Sequence, residues 1–62
     1  MKKVLKLKAA RELRKVSQVA LATRMGVDQP TVSKWENGKR FPLPHTLAAI
    51  ARALKCKEAE LL

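Results

Sequence analysis

Two helix-start signals flanking one stop constrain this chain more than any other feature. Ser17 and Asp28 each carry an oxygen able to accept a free amide at the beginning of a helix. Gly26 lies between them, where a residue of left-handed backbone ends one. Helix two is therefore expected to begin at Gln18, turn Leu21, Ala22 and Met25 inward, and stop at Gly26. After Val27 alone, Asp28 opens a third helix from about Gln29 to Glu36, with Val32 and Trp35 facing in. Pro30 is tolerated so close to the cap because first-turn amides have no helical partner to lose. Asn37-Gly38 ends this helix.

No window shows the period-two alternation of a strand, and the aromatic residues are Trp35 and Phe41 alone. Leu7, Ala10, Leu13 and Val16 recur every third residue, which predicts an apolar stripe on a first helix of about Leu5 to Lys15. Phe41, Pro42, Leu43 and Pro44 make a stiff connector, and Pro44 begins a fourth helix with Leu47, Ile50, Ala51 and Leu54 inward. A closing turn or two, Lys57 to Leu62, presents Leu61 and Leu62. The expected architecture is all-α: one compact domain of four to five helices over residues 1–62, with residues 1–4 a frayed basic tail.

Charge narrows the partners. Fourteen Lys and Arg against five Asp and Glu leave +9 on 62 residues, a repulsion that a polyanion relieves. Nucleic acid is the first partner this implies. One Cys, Cys56, forms no internal disulfide, and with His45 it supplies too few ligands for zinc. The longest apolar run, Leu47 to Ala51, falls far short of the roughly 18 residues of a membrane span. Lys6 and Lys8 interrupt any signal-peptide core, so a cytoplasmic, nucleoid-associated protein is expected. No nucleophile with a base, paired carboxylates or phosphate-cradling loop is present, which points away from an enzyme and from any cofactor. Coating of single strands needs exposed aromatic platforms, and Phe41 alone is a poor one.

Between Gln18 and Asn37 the small Ala22 stands four residues before Gly26, letting two short helices cross steeply where they touch. This is helix-turn-helix geometry. The chain resembles the helix-turn-helix regulators typified by lambda-like phage repressors and Cro proteins, the xenobiotic-response-element type. The residues carrying the resemblance are Arg11, Ser17-Gln18, Leu21-Ala22, Gly26-Val27 and Glu36-Asn37-Gly38-Lys39, and it covers residues 5 to 62. It implies a lambda-repressor-like fold, with helices two and three as the DNA-binding unit. Trp35 replaces the aliphatic residue more usual at its position and is expected to be structural. Lys55 stands where family members often place Gly, which predicts a strained or differently shaped turn after helix four.

Helix three turns Gln29, Pro30, Thr31, Ser33 and Lys34 outward. Gln29 can pair with adenine, Lys34 can donate to guanine, and Thr31 can offer a hydroxyl or touch a thymine methyl. The resemblance assigns base reading to these positions and to Pro30, which departs from the family in lacking a hydrogen-bonding side chain. Phosphate contacts are expected from Gln18 and Ser33, and from Asn37, Lys39 and Arg40 after helix three, where exposed loop amides and two cations would grip the backbone. The resemblance further implies an ion pair between Arg11 and Glu36 that orients helix three, with Arg11 near enough to phosphate to share its charge.

The function expected is sequence-specific binding of double-stranded DNA by a transcriptional regulator, a repressor that occupies its operator as a homodimer through the C-terminal helices, with Leu61 and Leu62 as the patch. The alternative is a protein-binding module on the same fold, such as an antitoxin capping a toxin or a factor bridging other regulators.

Overall fold

The computed structural model describes residues 5–62. The expected tail at residues 1–4 lies outside the described residues. Four α-helices follow one another: α1 Leu7–Leu13, α2 Gln18–Met25, α3 Gln29–Glu36 and α4 Pro44–Ala53, with a short 3-10 turn at Glu58–Glu60. They pack into a body of 29 × 23 × 21 Å. Leu7, Leu21, Val32, Ile50, Leu54 and Leu61 are its largest fully buried side chains. No helix among the described residues is long and apolar enough to cross a membrane.

Helices α2 and α3 carry the expected caps. Ser17 Oγ accepts from the Ala20 amide at 3.0 Å, and Asp28 Oδ1 accepts from the Thr31 amide at 3.1 Å. Ala22 is buried, as a small residue at a helix crossing must be.

Helix α1 is two residues shorter at each end than its sequence pattern suggests. Lys6 offers no side-chain cap, and the chain is fixed there instead by its amide, which donates to the Leu61 carbonyl at 2.8 Å. Leu13 was expected inside but is 78 % exposed. The reason is angular: a spacing of three falls about 60° short of a full turn, so two steps carry Leu13 about 120° from Leu7. Arg11, four residues from Leu7, takes the inward place and is buried. Val16 still reaches the core because the chain reverses at Lys15.

That reversal recurs at the C-terminal end of each of the four α-helices. Val16, Val27, Lys39 and Cys56 each return an amide to a carbonyl five residues back, on Arg11, Ala22, Lys34 and Ala51, at 2.9 to 3.0 Å where α1, α4 and their fellows close. The pivots are Lys15, Gly26, Gly38 and Lys55, with φ of 56°, 71°, 74° and 56°. The turn after α4 thus keeps the shape that glycine would give it, with lysine in the left-handed conformation.

Leu61 corrects a second expectation. It is not a surface patch but a fully buried member of this chain's own core, whereas Leu62 is exposed. Cys56 packs half-buried against the same core, and that burial pushes its thiol above its ordinary value.

Candidate nucleic-acid interface

Val32 and Trp35 anchor one side of α3 in the core. At 100° per residue the opposite side holds Pro30, Ser33 and Lys34, with Gln29 and Thr31 on its two shoulders. Gln29, Pro30 and Lys34 are exposed, while Thr31 and Ser33 are half-buried.

A run of hydrogen bonds ties the start of this helix to its end through α1 and α2. Arg11 Nε stands 2.6 Å from Glu36 Oε2, and Arg11 Nη2 lies 3.4 Å from Oε1. Arg11 Nη1 donates to the Val16 carbonyl at 2.7 Å. Gln18 Nε2 donates to Glu36 Oε1 at 2.9 Å, and Gln29 Nε2 donates to Gln18 Oε1 at 3.1 Å. Gln18, half-buried at the positive end of α2, keeps its second amide hydrogen for another acceptor. Arg11 is 8 % exposed, held inside the fold by Glu36 and the Val16 carbonyl.

Thr31 and Ser33 are both engaged locally. The Thr31 hydroxyl donates to Asp28 Oδ1, the same oxygen that caps the helix. These bonds hold the Asp28 carboxyl below its ordinary 3.8. Ser33 Oγ accepts from Asn37 Nδ2 at 3.2 Å, so Asn37 lies alongside the outer face of α3.

The loop after α3 departs from expectation in one respect. Its amides are not free to grip a phosphate: Asn37 donates to the Ser33 carbonyl, Gly38 to that of Trp35, and Lys39 and Arg40 both to that of Lys34. The last carbonyls of a helix lack internal donors, and the loop folds back to supply them. The side chains of Lys39 and Arg40 remain exposed.

Two features escaped sequence reasoning. The link from Gln18 to Gln29 depends on the angle at which α2 meets α3; its only sequence trace is that each glutamine follows a cap residue directly. The exposure of Phe41 and Leu43, beside a groove lined by Val27, Thr31 and Trp35, depends on how the connector leaves α3.

Two short helices joined through Gly26, the second with its polar side outward, define a helix-turn-helix domain. The family model described as Helix-turn-helix matches residues 7–61, and the chain belongs to that family. It is 48 % identical over 50 residues to the HTH-type transcriptional repressor RghR of Bacillus subtilis (strain 168), covering 79 % of this chain and 37 % of that protein. It is 33 % identical over 57 residues to repressor protein C2 of Salmonella phage P22, covering 92 % of this chain and 26 % of that protein. The chain thus spans 37 % and 26 % of the length of these two relatives. Among solved structures it is similar to the P22 c2 repressor in complex with a synthetic operator, with a TM-score of 0.81 at 33 % identity, covering 92 % of this chain and 86 % of that one. The restriction-modification controller protein C.AhdI of Aeromonas hydrophila matches with a TM-score of 0.85 at 30 % identity and the same coverage.

Proposed function

We propose that this domain binds double-stranded DNA by sequence and acts as a transcriptional repressor, laying α3 in the major groove of an operator. The observation that carries this is the outward side of α3: Pro30, Ser33 and Lys34 stand opposite the buried Val32 and Trp35, with exposed Gln29 on the shoulder beside them. The groove is wide enough for one helix, and each base pair there presents its own donors and acceptors. Gln29 and Lys34 supply polar base contacts, and Pro30 supplies van der Waals contact. Gln18, Lys39 and Arg40 hold phosphates at the two ends, and the net charge of +9 draws the duplex in. The P22 c2 repressor, a relative at 33 % identity, was solved on a synthetic operator, which supports the same use here.

One such domain reads few base pairs, so the operator is a near-palindrome occupied by two copies with half-sites about 34 Å apart. The contact between copies falls at the C-terminal end, where Leu62 is exposed. The setting is the cytoplasm, on the nucleoid.

Binding measured against salt tests the reading. The logarithm of the affinity should fall steeply, by roughly 0.9 per phosphate neutralised for each unit of log salt, and Lys39→Ala should make the slope shallower by about one. Gln29→Ala should weaken the preferred duplex and spare random sequence. A flat salt dependence, or equal affinity for all duplexes, overturns it.

A further inference from the structure

The hydrogen bonds that end on Gln29 have a direction, and that direction is set by a residue at the other end of α3. Glu36 is a carboxylate held by Arg11, and a carboxylate only accepts. Gln18 must therefore turn its NH2 toward Glu36, as the 2.9 Å bond from Nε2 records. Its carbonyl oxygen is then left facing Gln29, which can meet it only by donating from its own Nε2, at 3.1 Å. With that contact made, Gln29 keeps its Oε1 and one N–H for a partner outside the chain. One acceptor beside one donor complements the adenine edge in the major groove, which offers N6–H and N7. Guanine offers only acceptors on that edge, and a glutamine free to turn over would discriminate less.

We propose that Glu36 is a positioning residue for base specificity, fixing through Gln18 which way round the Gln29 amide is presented and so selecting adenine at the position Gln29 reads. Glu36 itself is too buried to touch DNA, with 4 % of its side chain exposed. The inference rests on the proposed DNA-reading role of α3 and of Gln29, and it adds the residue that enforces the pairing with adenine. Replacing Glu36 by glutamine removes the direction, because an amide both donates and accepts. Gln18 can then turn over, and Gln29 with it.

The test is a ratio of affinities. A duplex is first recovered from a random pool with the wild-type protein, and each of its base pairs is then varied through all four possibilities. Gln29→Ala identifies the position that Gln29 reads. At that position Glu36→Gln should lose the preference for A·T by about tenfold, the size of one bidentate contact. Gln18→Met leaves the Arg11–Glu36 pair in place and should lose the same preference; its weaker phosphate contact lowers all affinities alike and cancels in the ratio. Circular dichroism confirms folding of each variant. Retention of the A·T preference in a folded Glu36→Gln or Gln18→Met protein overturns the relay. A wild-type preference indifferent to Gln29→Ala, or for a base other than adenine, overturns it too. If the wild type prefers no duplex at all, the DNA-reading role falls with it, and the two failures are told apart.

Discussion

Arg11 Nε lies 2.6 Å from Glu36 Oε2, with 9 % and 4 % of the two side chains exposed, and the contact joins the middle of α1 to the last residue of α3. A pair so far withdrawn from water gains little net stability from its attraction, because desolvation opposes it. Losing one partner is another matter. Arg11→Ala strands the Glu36 carboxylate and removes the donor to the Val16 carbonyl, and it should cost about 3 to 5 kcal/mol in urea unfolding. Replacing both, as Arg11→Met with Glu36→Leu, should be less destabilising than Arg11→Ala alone. A single variant as stable as the wild type would mean that the pair is solvated.

Leu61 and Leu62 are neighbours in sequence with opposite expected behaviour. Leu61 is fully buried, and its carbonyl takes the Lys6 amide at 2.8 Å. Leu61→Ala should cost about 2 to 5 kcal/mol, and Leu61→Asp should abolish folding rather than report on association. Leu62→Asp should leave the melting temperature nearly unchanged, and sedimentation of that variant tests whether the C-terminal end joins two copies. A Leu61→Asp protein that melts like the wild type would contradict the packing.

The parts of this molecule legible in the sequence are those set by local chemistry. Ser17, Gly26 and Asp28 act on amides and backbone within a few residues, and α2 and α3 begin where they dictate. What depended on contacts distant in sequence was not legible. A spacing of three made Leu13 look internal, but a helix turns every 3.6 residues, and Arg11 with a distant partner took the inward place. Leu61 looked free because nothing in its neighbourhood names Lys6 as its partner. In the site, the outward residues of α3 could be listed from their spacing, whereas the Gln18–Gln29 bond waits on the angle between two helices. The loop amides after Glu36 look available in the sequence, but they satisfy the last carbonyls of α3, a demand that appears only once the loop folds back.

Lys15 and Lys55 occupy the left-handed pivots that Gly26 and Gly38 fill elsewhere. A side chain at such an angle costs about 1 to 2 kcal/mol, and glycine recovers part of this while adding freedom to the unfolded chain. Lys15→Gly and Lys55→Gly should each stabilise the domain by about 0.5 to 1 kcal/mol, raising its melting temperature by a few degrees. Gly26→Ala should be destabilising by about 1 kcal/mol although a Cβ there meets nothing within 4 Å, because the strain lies in the backbone. Differential scanning calorimetry of the three variants checks the signs. If both lysine substitutions destabilise, their side chains contribute more than the angle costs.

Asp28 links the start of α3 to pH. Its carboxylate takes the Thr31 hydroxyl and then the Thr31 amide, and these bonds, in that order of weight, hold it below the ordinary 3.8. A group whose folded pKa is depressed contributes stability that is complete above the unfolded value and lost as pH falls through the folded one. The cap's contribution should therefore be constant at neutral pH and disappear in the acid range below 3.8. Asparagine caps a helix about as well without titrating, so Asp28→Asn should match the wild type at neutral pH and lose this part of the acid dependence. Thr31→Val removes the larger of the two bonds and should move the Asp28 titration, followed by NMR, up toward 3.8. An Asp28 titration that Thr31→Val leaves in place would show that the hydroxyl does not favour the ionised cap.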